Sequence, residues 1–180
     1  MPIEGYLVDS KVVVLDKEVG IKLYKEGFYG KFTGLRKVKD FNVKDFLELS
    51  LMEALYLMEK GELKVKDFKE REVGYEELLR KAKETYPSFD EMYKVYRDLR
   101  ERGYVVKSGM KFGATFAVYE RGPGLDHAPF LVHVMPYGER VDPIDIVRAG
   151  RLSHSVRKRF VLASVEPSGE ISYYVFSWFG

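Results

Sequence analysis

Cysteine is absent from the 180-residue sequence. That excludes disulfides, thiolate-bound zinc and thiol nucleophiles, and it fits a reducing cytoplasmic setting. A dominant charge is lacking too, since 30 lysines and arginines face 28 acids and leave a formal net charge of +2. Any affinity for a polyanion must therefore come from local clustering rather than from the charge of the whole chain. No apolar run reaches bilayer-spanning length, so no membrane partner is expected. The first residues, M-P-I-E-G-Y-L-V-D-S-K, lack the basic and apolar regions of a signal peptide. What is present argues for a folded core, with 46% hydrophobic and 14% aromatic residues. The length suits one medium domain or two small ones. Charged residues at 32% without cysteine are compatible with a thermophilic source.

Patterning predicts an α/β (α+β) chain in two parts. Residues 5–15 read as two strands around an Asp9–Ser10 turn, and Asp16 caps a helix running through Leu23 and Tyr24 to Gly27. A second helix is predicted from Asn42, with Phe46, Leu49, Leu51, Leu55 and Met58 as its apolar stripe and Gly61 just past its end. A third covers 75–86 and stops at Pro87. A fourth starts from a capping box of Ser88 and Glu91, turns Met92, Tyr93, Tyr96 and Leu99 inward, and ends at Gly103. Strands follow at 104–107, 114–119, 129–135, 159–165 and 171–178, interrupted by one helix opening at Asp142-Pro143. The expected boundary lies near Pro87, giving a helix-rich N-terminal domain (1–87) and a C-terminal domain (88–180) built on a mixed sheet.

Reactive side chains concentrate between Lys111 and Lys158. Tyr119 ends a predicted strand, and His127 lies in the loop R-G-P-G-L-D-H-A-P. Lys158 closes a stretch from Arg148 to Arg159 that holds five lysines and arginines, among them Arg148, Arg151 and Arg157, and no acid. A base, an acid and a cation are what internal 2′-hydroxyl attack on an RNA phosphate needs without a metal. Each residue also has a plainer reading: an aromatic at a core rim, a loop histidine bonding the backbone, a solvated basic helix end. His127, His133 and His154 match no zinc-ligand spacing, and His133 reads as a strand histidine in or near the core. Glu62-Leu63-Lys64 resembles a fragment of metal-dependent nuclease motifs, but no acidic partner precedes it. The glycines at 109, 113, 122 and 124 form no dinucleotide or phosphate-binding loop. No metal and no cofactor is expected.

The segments S-G-x-K-F-G-x-x-F-x-V-Y, G-P-G-x-x-H-A and G-R-x-x-H-S-V-R-K resemble the archaeal tRNA-intron splicing endonucleases, strongly over 104–180 and at the level of fold over 1–87. The C-terminal fold this implies is similar to that of restriction endonucleases. The resemblance implies that Tyr119 is general base on the 2′-hydroxyl, His127 general acid to the 5′-oxygen, and Lys158 stabiliser of the phosphorane. The implied products are a 2′,3′-cyclic phosphate and a 5′-hydroxyl, and the implied substrate is precursor tRNA cut in bulge–helix–bulge sites. An ordinary tyrosine, with a pKa near ~10, is a poor base at neutral pH, so that role asks for a lowered phenol. Arg151 and Trp178 match positions that grip a bulge base, while burial at a subunit interface is an equal reading for Trp178. Glu166 and Glu170, in the last hairpin, match an acidic loop inserted into a neighbouring subunit. The chain would then work as a homotetramer, or as a heterotetramer with a smaller non-catalytic subunit. Three rivals remain: a structural subunit of the same complex, a metal-dependent DNA nuclease, and a plain RNA-binding module. The DNA nuclease needs clustered carboxylates, and Glu120, Asp126, Glu139, Asp142 and Asp145 form no such motif.

Overall fold

A computed structural model describes residues 1–35, 38 and 43–176. The chain divides into two compact units, Met1–Phe89 and Asp90–Gly180. In the first, strands β1 (Ile3–Val8) and β2 (Lys11–Val14) form the expected hairpin, with Asp9 left-handed at φ 52. The Asp16 carboxylate accepts from Val19 N at 3.1 Å and starts helix α1 (Lys17–Gly27). Then come β3 (Lys31–Phe32), β4 (Leu47–Ser50), α2 (Leu51–Glu59), β5 (Leu63–Lys66), β6 (Glu72–Val73) and α3 (Tyr75–Thr85). The strands form one sheet in the order β3-β4-β2-β1-β5-β6, in which β5 runs parallel to β1.

The helix expected from Asn42 starts only at Leu51, and Asn42 itself lies outside the described residues. Leu47 and Leu49 belong to a strand, where they alternate with Glu48 and Ser50 and are fully buried. The junction is set by a capping box. Ser50 Oγ accepts from Glu53 N at 3.1 Å, and the Glu53 carboxylate accepts from Ser50 N at 2.9 Å. The other Glu53 oxygen accepts from Gly30 N at 2.9 Å, so this buried carboxylate is used at both ends. Gly30 has φ 74, and a Cβ there would lie 2.6 Å from Glu48 O, which only glycine avoids.

The second unit carries most of α4 (Phe89–Glu101), then β7 (Val105–Ser108), a 3-10 turn (Met110–Phe112), β8 (Phe116–Tyr119), β9 (Phe130–Pro136), α5 (Pro143–Ser155), β10 (Arg159–Val165) and β11 (Ile171–Phe176). Ser88 sits at φ 56, in the left-handed region, so it does not take the extended geometry of the expected capping box. Tyr93, Val95, Tyr96 and Leu99 form the buried face of α4. The sheet is mixed, in the order β11-β10-β9-β8-β7, and its one parallel pair, β9 with β10, is joined by α5. Asp142 caps that helix and Pro143 begins it, as expected. Across one face of the sheet runs the rung Ala117–Leu131–Phe160–Phe176. Ala149 and Val156 pack on that rung.

Candidate active site

Three chain segments meet at one end of the second sheet. β8 ends there, while β9 and β10 begin there. Val118 pairs with Phe130, and Phe130 pairs in turn with Arg159. Tyr119 and Lys158 therefore flank the residue just before β9 from either side, roughly 10 Å apart across two strand spacings. Strand periodicity sets which face they share. Tyr119 is two residues after Ala117, Lys158 is two before Phe160, and both of those belong to the rung covered by α5. His127, exposed, lies in the loop that leads into β9.

That loop is wound around Asp126. Its Oδ1 accepts from Gly122 N at 2.7 Å, and its Oδ2 accepts from Glu120 N at 3.1 Å and Arg121 N at 3.3 Å. Gly122 and Gly124 both have positive φ, at 141 and 85, so the turn can close this tightly. On the other side of His127, Lys158 Nζ donates to Ala128 O at 2.8 Å. Further contact comes from the 3-10 turn, where the Phe112 ring lies 5.4 Å from Lys158 Nζ and 5.7 Å from Lys111 Nζ.

Lys158 owes its position to the end of α5. Arg157 N donates to His154 O at 3.1 Å and Lys158 N to Ser153 O at 2.7 Å, while Arg157 takes φ 55. This is a left-handed helix stop with arginine in the place glycine usually fills. Partial removal from water pushes the Lys158 ammonium below the ordinary lysine range, opposed by the Asp126 carboxylate and assisted by Lys111. Tyr119 moves the other way from the lowered phenol that a base role requires. Burial first, and the Asp126 carboxylate second, push its hydroxyl up, and Lys158 does not offset them.

The remaining expected residues are spread more widely. Arg148 and Arg151 are exposed on α5, and Arg148 sits 3.6 Å from Asp145. Arg157 is exposed beside Lys158. Glu166 and Glu170 lie in the hairpin between β10 and β11, where Glu166 N donates to Glu170 O at 2.9 Å, at the end of β10 away from Lys158. Trp178 falls outside the described residues. His133 is half-buried on β9 and lines a cavity of about 410 Å³ beneath α5, together with Met135, Leu152 and Ser153. Sequence reasoning missed Asp126, which it weighed only as a metal ligand. Its signal was its place between Gly124 and His127, where a short acceptor can gather turn amides. It also missed Lys111 and Phe112.

Comparison with known proteins bears on both units. Residues 3–79 match the model of the tRNA intron endonuclease N-terminal domain, and residues 89–173 that of the tRNA intron endonuclease catalytic C-terminal domain. A tRNA-splicing endonuclease of Hyperthermus butylicus is 52% identical over 177 residues, covering 98% of this chain and 98% of that protein. One from Pyrobaculum aerophilum is 51% identical over 178 residues, covering 97% of each, and one from Saccharolobus islandicus is 44% identical over 180, covering 98% of each. With both domain models matched and identity of this order along nearly the whole length, the chain belongs to the tRNA intron endonuclease family.

Proposed function

We propose that this chain excises introns from precursor tRNA by metal-independent attack of a ribose 2′-hydroxyl on the adjacent phosphate, with Tyr119, His127 and Lys158 as the reacting set. The observation that carries this reading is the convergence of the β8, β9 and β10 ends, with the Lys158 ammonium bonded to the carbonyl next to His127. In the reaction, Tyr119 takes the proton from the 2′-hydroxyl as its oxygen bonds to phosphorus. The bond from phosphorus to the 5′-oxygen breaks, and His127 gives that oxygen a proton. While one Lys158 N–H stays on Ala128 O, the other two ammonium donors face the non-bridging oxygens, whose charge grows in the phosphorane. The raised Tyr119 hydroxyl has a kinetic meaning. Only the small deprotonated fraction serves as base, and that fraction grows tenfold per pH unit through the neutral range.

The substrate in this reading is a bulge–helix–bulge RNA, whose unstacked bulge nucleotides expose edges that an A-form groove hides. The exposed Arg148 and Arg151 on α5 and Arg157 next to Lys158 would serve as phosphate contacts, with Arg151 and Trp178 gripping one bulge base. Two bulges require two matched sites, so the working form is a tetramer, either of identical chains or of two catalytic and two smaller subunits. Glu166 and Glu170 would dock into the neighbour. The test is cleavage of a bulge–helix–bulge RNA in excess EDTA, with the new ends identified. Cyclic phosphate and 5′-hydroxyl ends are expected. Cleavage that needs added magnesium, or that leaves 5′-phosphate ends, would overturn the mechanism.

A further inference from the structure

We infer that Asp126 is a positioning residue for the reaction, holding the loop from which His127 reaches the leaving 5′-oxygen. The inference rests on the RNA-cleaving reading of the site. His127 lies between two anchored neighbours. Before it, the Asp126 carboxylate gathers three backbone amides, those of Glu120, Arg121 and Gly122. After it, Ala128 O accepts from Lys158 Nζ. The imidazole projects from the one exposed position between two tethered ones. An ionised carboxylate is suited to this task because its two oxygens can accept from all three donors, and charge-assisted bonds of this kind are stronger than neutral ones. A loop held in this way keeps a general acid within the short range over which proton transfer works, where about 1 Å of misplacement costs about a hundredfold in rate.

Asp126 also faces the two other reacting groups. Its negative charge bears on Tyr119 from β8 and on Lys158 from the start of β10, while Lys111 acts on Lys158 from the 3-10 turn. Removing that charge makes it easier for both Tyr119 and Lys158 to lose a proton. That shift reads the charge alone; loss of the anchor reads as a fall in kcat with KM kept.

The experiment compares Asp126→Asn with the wild-type chain, and with Glu120→Gln as a control that removes a carboxylate from the same loop while keeping the amide contacts. Asparagine keeps one oxygen and turns an NH2 group toward amide donors, so the loop loses part of its anchor. The expected result has three parts. kcat falls by about a hundredfold with little change in KM, the alkaline limb of the rate profile moves to lower pH, and exchange of the Gly122 amide proton becomes faster. Glu120→Gln should leave kcat and the Gly122 exchange close to wild type. If Asp126→Asn cleaves at the wild-type rate, the inference fails while the reading of the site stands. If the wild-type chain cleaves only with added magnesium or leaves 5′-phosphate ends, that reading fails, and the catalytic role of Asp126 fails with it. A freely exchanging Gly122 amide in the wild-type chain would overturn the anchor itself, whatever the variants do.

Discussion

Tyr119 and Lys158 differ in how the site treats their protons, and the difference is measurable. Because Tyr119 is pushed up and Lys158 down, the phenolate fraction is still growing with pH where the Lys158 ammonium begins to be lost. With His127 protonated, that loss ends the rise in rate below the ordinary lysine range. Replacing Tyr119 with phenylalanine should abolish the rising slope; a Tyr119→Phe variant that keeps it would reduce the phenol to an orienting group. Lys111→Ala removes a cation beside Lys158, which raises the Lys158 pKa, so the break at which the rise ends should move to higher pH in a rate–pH profile. Lys158→Ala should slow single-turnover cleavage by about a hundredfold or more, as for one lost group facing a developing oxyanion. Tyr119 and Lys158 stood out as candidates in the chain because residue type and order mark them. Asp126 could not be read in the same way. Its role is to accept backbone amides, and those donors carry no residue letter.

At the level of elements, sequence periodicity worked where an element stood alone and failed where two met without a polar break. The run from Phe46 to Met58 is apolar at spacings that satisfy one long helix, yet Leu47 and Leu49 are buried at strand spacing. The decisive pair was Ser50 and Glu53, a capping box inside the apolar run, and Ser50→Ala should lower stability by about 1 kcal/mol in thermal or denaturant unfolding. The strands β5 and β6 escaped notice because each is short, at four and two residues, and is defined by its partners rather than by its own pattern. The C-terminal strands were legible because turns, glycines and prolines separate them. The stop of α5 supplies an opposite test. Arg157 holds a left-handed conformation that costs an L side chain roughly 1 kcal/mol. Arg157→Gly is thus expected to raise the unfolding midpoint while weakening RNA binding, with the salt dependence of affinity reduced by about one unit. A lower midpoint would mean that the arginine side chain itself stabilises the helix end.

Across the whole molecule, charge is nearly balanced, +2 from 30 basic and 28 acidic residues, so in the proposed reading the attraction for RNA rests on the basic cluster from Arg148 to Arg159. No described helix is long and apolar enough to cross a membrane. If Glu166 and Glu170 dock into a neighbour as proposed, reversing both charges to lysine should reduce the assembly measured by sedimentation and slow cleavage of a two-bulge RNA. A sedimentation profile unchanged by the double replacement would assign that hairpin no part in assembly.

The parallel pairing of β9 with β10 has a consequence for the chain as it is made. Arg159 takes its place beside Phe130 only after the whole of α5 has been synthesised and has crossed over the sheet. Non-local pairing of this kind comes late, since the loop must close before its contacts reward it. A nascent chain that has emerged only through β9 thus carries Tyr119 and His127 without Lys158, and in the proposed reading it lacks the cation of the reacting set. In that reading synthesis order sets when the site can act: the reacting set is complete only once the segment that leads into β10 has been made.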